Sequence, residues 1–164
     1  MLSFVPRYTF AEYIKNRKIF ISIAATDEYS TYLEKFAREN GLYNGLDHSG
    51  NPTNDLKYHV TLWYSSTGWL DYNQSQMPEI EIPVENWELL GKRKEHLTLK
   101  LIDNGWLEGL KDHFGQYGLT SEWPTFKPHM TLVYNYNKRR IPNIKPPKTV
   151  RLGQVYAEET VTTD

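Results

Sequence analysis

Lys57-Tyr58-His59-Val60-Thr61-Leu62-Trp63-Tyr64 and Lys127-Pro128-His129-Met130-Thr131-Leu132-Val133-Tyr134 are two versions of one phrase. Residues i and i+2 of a β-strand project from the same face. Each phrase therefore predicts a strand with a polar face, His59 beside Thr61 in the first and His129 beside Thr131 in the second. Val60 and Leu62 are expected to turn into one core, Met130 and Leu132 into another.

The surroundings of the two strands repeat as well. Ile19 to Ala24 reads as a β-branched strand. Asp27 is then a candidate N-cap for a helix carrying Tyr29, Leu33, Phe36 and Ala37, closed by a left-handed cap at Asn40-Gly41. Leu97 to Leu101 alternates in period two, and Asn104 is a candidate cap for a helix with Leu107, Leu110 and Phe114, ended by Gly118. Gly41-Leu42 and Gly118-Leu119 each follow their helix directly. Strand, helix, Gly-Leu, loop and His-x-Thr-Leu-x-Tyr thus occur over residues 19–64 and again over 97–134. This duplication predicts an α+β fold of two pseudo-symmetric lobes, with antiparallel sheets lining a central cleft. The lobes would cover roughly 15–90 and 91–164 of a single domain spanning 1–164, with strands open to exchange between them.

Elsewhere, Asn44 to Asp55 reads as loop and Ser65 to Pro78 as a long surface loop. Ile80 to Val84 and Trp87 to Leu90 read as strand material interrupted by a turn. Thr149 to Val161 supplies one more strand.

A length of 164 residues, 39% apolar and 24% charged, suits one globular domain. The formal net charge of -1 argues against a coat for long nucleic acid or a membrane surface. Absence of cysteine excludes disulfides, thiol nucleophiles and Cys-type zinc sites. No apolar run spans a bilayer, and Met1 to Asn16 lacks a signal-peptide core, so a reducing cytoplasm is expected. The 12 Tyr and 5 Trp offer flat faces that serve base stacking as well as packing.

Two imidazoles with pKa values near 6.5 are suited to paired proton transfer at neutral pH, one neutral as base and one protonated as acid. Thr hydroxyls beside them can hold non-bridging phosphate oxygens. Such a pair performs phosphodiester cleavage without a metal, and no carboxylate cluster suggests one. His96-Leu97-Thr98-Leu99 also matches His-x-Thr-Leu. It stands where the strand before the second helix belongs and lacks the aromatic that follows the other two, so His96 is read as an ordinary strand residue. Lys92-Arg93-Lys94 and Lys138-Arg139-Arg140 are read as solvated loops.

The paired motifs, the duplication and Pro128 before the second His resemble the 2H phosphoesterase superfamily. Within it, His59-Val60-Thr61-Leu62-Trp63-Tyr64 and the compact length look most like the bacteriophage anti-CBASS nucleases. The resemblance implies cleavage of cyclic di- and trinucleotide signals, without metal or other cofactor, by attack of a ribose 2′-hydroxyl on the adjacent phosphate. It also implies His59 and His129 as the acid–base pair, Thr61 and Thr131 as phosphate binders, and Tyr29, Trp87 and Glu158 as substrate contacts. For these last three, packing (Tyr29, Trp87) and a solvated strand charge (Glu158) are the competing readings. A phage-encoded enzyme of this kind would work in the host cytoplasm. Alternative functions are opening of RNA 2′,3′-cyclic phosphates, cutting of 2′–5′ RNA, and sequestration of signalling nucleotides without catalysis. Oligomeric state is left open.

Overall fold

Ile19, Ile21 and Ile23 of β1 (Arg17–Ala25) are fully buried, and Ser22 and Ala24 face the other side of the strand. The computed structural model describes residues 17–68, 75–121 and 125–161; the Met1 to Asn16 segment and part of the Ser65 to Pro78 loop lie outside them. After β1 comes helix α1 (Asp27–Glu39), which buries Tyr29, Leu33 and Ala37. Its cap is Thr26, one residue earlier than expected: the extended Thr26 accepts the Tyr29 N–H on Oγ1 at 3.2 Å. Asp27 instead lies in the first turn, where its charge complements the helix dipole. Gly41, at φ +70°, ends the helix in the left-handed conformation.

The expected loop after α1 contains a small hairpin, β2 (Gly45–Leu46) with β3 (Pro52–Thr53). Asp47 holds its turn by accepting the Ser49 and Asn51 N–H groups, both at 2.9 Å. Strand β4 (His59–Ser65) follows. Strand β5 runs unbroken over Ser75–Leu90, so the turn expected between Val84 and Trp87 is a bulge, where the register shifts between Val84 and Asn86. Pro83 lacks an N–H, yet the edge is kept paired because Val84 donates to the Lys148 carbonyl at 2.8 Å. β6 (His96–Leu101) leads to α2 (Trp106–Phe114). Asn104 does cap it, its Oδ1 accepting the Trp106 N–H at 3.3 Å, and the Asp103 carboxylate joins in by accepting the N–H groups of Gly105, Leu107 and Glu108 at 3.0, 3.1 and 3.0 Å. A 3-10 turn, Gly115–Tyr117, carries the chain to Gly118 at φ +73°. The last strands are β7 (His129–Val133) and β8 (Thr149–Val161).

The large sheet is antiparallel throughout and closes in the order β1-β4-β7-β6-β5-β8, with β8 returning to β1. β5, which follows the first repeat, pairs with β6 of the second; β8, which follows the second, pairs with β1 of the first. The two halves of the chain are therefore bound to each other by strands lying beyond each repeat. Val60, Leu62, Met130 and Leu132 all belong to one apolar cluster rather than to two cores, because β4 and β7 are neighbours in the same sheet. Among the described residues no helix is long and apolar enough to cross a membrane.

Candidate active site

Val60 pairs with Met130 across β4 and β7. In an antiparallel ladder the next residues on each side face one another, so this register sets His59 opposite Thr131 and Thr61 opposite His129. The pairing thus has a local two-fold axis between Val60 and Met130. Both of those side chains are fully buried, and the His and Thr side chains alternate with them onto the opposite face. On that face the two histidines lie on a diagonal, for which such pairs stand about 7–8 Å apart.

The histidines are held identically. His59 Nδ1 donates to the Lys57 carbonyl at 2.6 Å, and His129 Nδ1 donates to the Lys127 carbonyl at 2.9 Å. A carbonyl can only accept, so both neutral rings carry the proton on Nδ1 and keep Nε2 as the proton acceptor. His59 and His129 are half-buried, and Thr131 is buried. Burial lowers the His59 pKa from its usual 6.5; the Lys57 carbonyl opposes this, the charges of His129 and Lys57 add to it, and Glu158 opposes it again. The two imidazoles are thus within electrostatic reach of each other.

On the β1 and β8 side the sheet extends this face. Thr61 pairs with Ser22, and Ser22 with Tyr156, giving a row across three strands. Tyr156 is buried and hydrogen-bonded to the Ser22 side chain; its ring stands edge-on to His59, centroids 6.3 Å apart. Lys57 Nζ lies 4.0 Å from the centre of that ring. Glu158 is exposed two residues beyond Tyr156 and acts on His59 through its charge, so it shares the face. Of the residues on this face beyond the two motifs, the sequence pointed to Glu158 but not to Tyr156, Ser22 or Lys57. A lysine two residues before each His was the available signal.

Tyr29 and Trp87 are placed differently. The Tyr29 hydroxyl donates to the Thr149 carbonyl, and burial pushes its pKa well up. Trp87 is buried, stacks on Phe36 at 6.4 Å and donates Nε1 to the Ile144 carbonyl at 2.8 Å. Tyr29, Tyr32, Phe36, Lys148 and Arg151 line a groove of about 560 Å³ to which neither histidine contributes. His96 pairs with Leu90 at the start of β6, while His129 pairs with Lys100 near its end. His96 Nδ1 accepts the Asn135 N–H at 3.3 Å and His96 Nε2 lies 3.4 Å from Glu95, so His96 stands outside the His–Thr patch.

No curated protein sequence matches the chain. Residues 17–163 match the sequence model of the family described as anti-CBASS protein Acb1, a span that includes every strand of the closed sheet up to its last residues. The chain therefore belongs to the anti-CBASS protein Acb1 family, and its role is an anti-CBASS one.

Proposed function

We propose that the protein is a metal-independent phosphodiesterase that opens cyclic di- and trinucleotide signals and so disarms CBASS immunity, in the cytoplasm of an infected bacterium. The observation that carries this reading is the two-fold pairing of His59-Val60-Thr61 with His129-Met130-Thr131, in which each Nδ1 is tied to a carbonyl two residues back. Two Nε2 atoms on one diagonal suit a phosphate between them, with one proton to remove and one to give. We assign the halves β8-β1-β4 and β7-β6-β5 as the two lobes of a 2H phosphoesterase arrangement within one domain.

In this mechanism the ribose 2′-oxygen attacks the neighbouring phosphorus, and the bond to the leaving 5′-oxygen breaks. His59, whose burial favours the neutral form, takes the 2′ proton on Nε2. Protonated His129 gives its Nε2 proton to the 5′-oxygen. Thr61 and Thr131 donate hydrogen bonds to the non-bridging oxygens, where negative charge grows in the transition state. Glu158, exposed on the same face, is available to a base amino group. We read Tyr29 and Trp87 as packing residues rather than substrate contacts, since their polar atoms are already engaged.

Incubation in EDTA with 3′,3′-cyclic GMP–AMP, cyclic triadenylate and an RNA 2′,3′-cyclic phosphate tests the reading. Opening of the cyclic oligonucleotides supports it. Turnover of the RNA end alone would transfer the activity to RNA processing, loss on chelation would remove the metal-free mechanism, and binding without turnover would leave a sponge.

A further inference from the structure

Lys57 contributes two things at once. Its carbonyl fixes His59, and its ammonium lies over the ring of Tyr156. That ring is itself fixed, buried with its hydroxyl bonded to Ser22 and its edge towards His59. An exposed lysine is ordinarily a mobile, solvated charge. Here an aromatic face holds the ammonium in place, an attraction favoured by the ring quadrupole. A cation held on this face, close enough to act on His59 through its charge, is what an anionic phosphate requires. From this geometry we propose that Lys57, seated on Tyr156, is a phosphate-binding residue of the His–Thr site. The proposal deepens the phosphodiesterase reading and rests on it for the substrate, although phosphate binding itself does not depend on turnover.

Lys127 stands in the equivalent place before His129 and also supplies a carbonyl to its histidine. Among the described residues, a lysine seated on an aromatic ring beside one of the two histidines is seen at His59. The same ammonium helps to keep His59 neutral, together with the positive charge of His129 on β7 and against Glu158 on β8, while the Tyr156 phenol stays neutral through burial.

The test uses the full chain and the variants Lys57→Met, Lys57→Arg and Tyr156→Leu. Inorganic phosphate is titrated while the His59 ring resonances are followed by NMR. Phosphate should shift those resonances in the parent and in Lys57→Arg, with about tenfold weaker binding in Lys57→Met, the scale of one lost charge-assisted hydrogen bond. Tyr156→Leu should weaken it in the same direction. The His59 pKa should rise in Lys57→Met and return in Lys57→Arg. With 3′,3′-cyclic GMP–AMP, Lys57→Met should raise KM about tenfold by the same interaction. Phosphate affinity and a His59 titration unchanged in Lys57→Met would overturn the proposal. Phosphate binding that depends on Lys57, in a protein that cleaves no cyclic nucleotide, would uphold it and remove the nuclease reading instead.

Discussion

Val60 and Met130 face each other across β4 and β7, and through that one register each histidine stands opposite the other motif's threonine. Both histidines should therefore matter equally to chemistry, although they come from different halves of the chain. His59→Ala and His129→Ala are each expected to lower kcat by at least about a hundredfold, the low end of what a positioned acid or base supplies. His96→Ala should stay within about twofold of the parent, because its neighbours are Glu95, Asn135 and Tyr134 and not the patch. Steady-state kinetics on 3′,3′-cyclic GMP–AMP would check all three, and a loss at His96 as large as that at His129 would show that the strands had been paired wrongly.

The pH dependence follows from His59. Its pKa lies below 6.5, chiefly through burial. A base must be unprotonated, so the acidic limb of kcat/KM should fall at lower pH than an ordinary imidazole would give. Glu158 raises this pKa through its negative charge; Glu158→Gln should therefore move the acidic limb to still lower pH. Folding stability carries the same sign. The unfolded chain binds the His59 proton more readily than the folded one, so stability is complete above 6.5 and is lost as pH falls towards the folded pKa. Chemical denaturation across that interval should show the loss in the parent and a smaller one in His59→Gln.

These strands were legible because period-two alternation and a duplicated frame both mark them, and a strand needs little more than its own residues to place His and Thr on one face. The closed sheet was not, because β5 joins β6 while β8 closes on β1, and those long-range pairings depend on register rather than on local pattern. The first helix cap was misplaced by one residue for a related reason: Thr26 and Asp27 offer equivalent oxygens, and only the backbone path selects between them. Tyr156 and Lys57 escaped notice because 99 positions separate them. Tyr29 and Trp87 were picked out as aromatic contacts, yet the structure spends their polar atoms on the carbonyls of Thr149 and Ile144.

Ser65, at the end of β4, ties the first repeat to the second. It is fully buried, donates to the Thr67 carbonyl at 2.9 Å, and accepts the N–H groups of Thr67 at 3.2 Å and Thr120 at 2.9 Å. Ser65→Ala would leave both of those N–H groups without their partner. A loss of about 0.5–1.5 kcal/mol is expected in urea unfolding, the usual net worth of an intramolecular hydrogen bond, since Thr67 and Thr120 are exposed. Ser66→Ala, at the exposed neighbouring position, is the control and should change stability by less than about 0.5 kcal/mol.

Trp87→Phe separates the packing role of Trp87 from a role in substrate contact. Phenylalanine preserves an aromatic face against Phe36 but cannot donate to the Ile144 carbonyl, a bond of 2.8 Å from a side chain only 6% exposed. The loss of that hydrogen bond and of part of the ring should cost about 1–3 kcal/mol of stability. If the indole serves only packing, KM for the cyclic dinucleotide should be unchanged at a temperature where the variant is fully folded. Thermal unfolding and KM measured on the same preparation decide the matter. A KM raised severalfold with unaltered stability would put Trp87 in contact with substrate, and would require the segment around Ile144 to release it when the nucleotide binds.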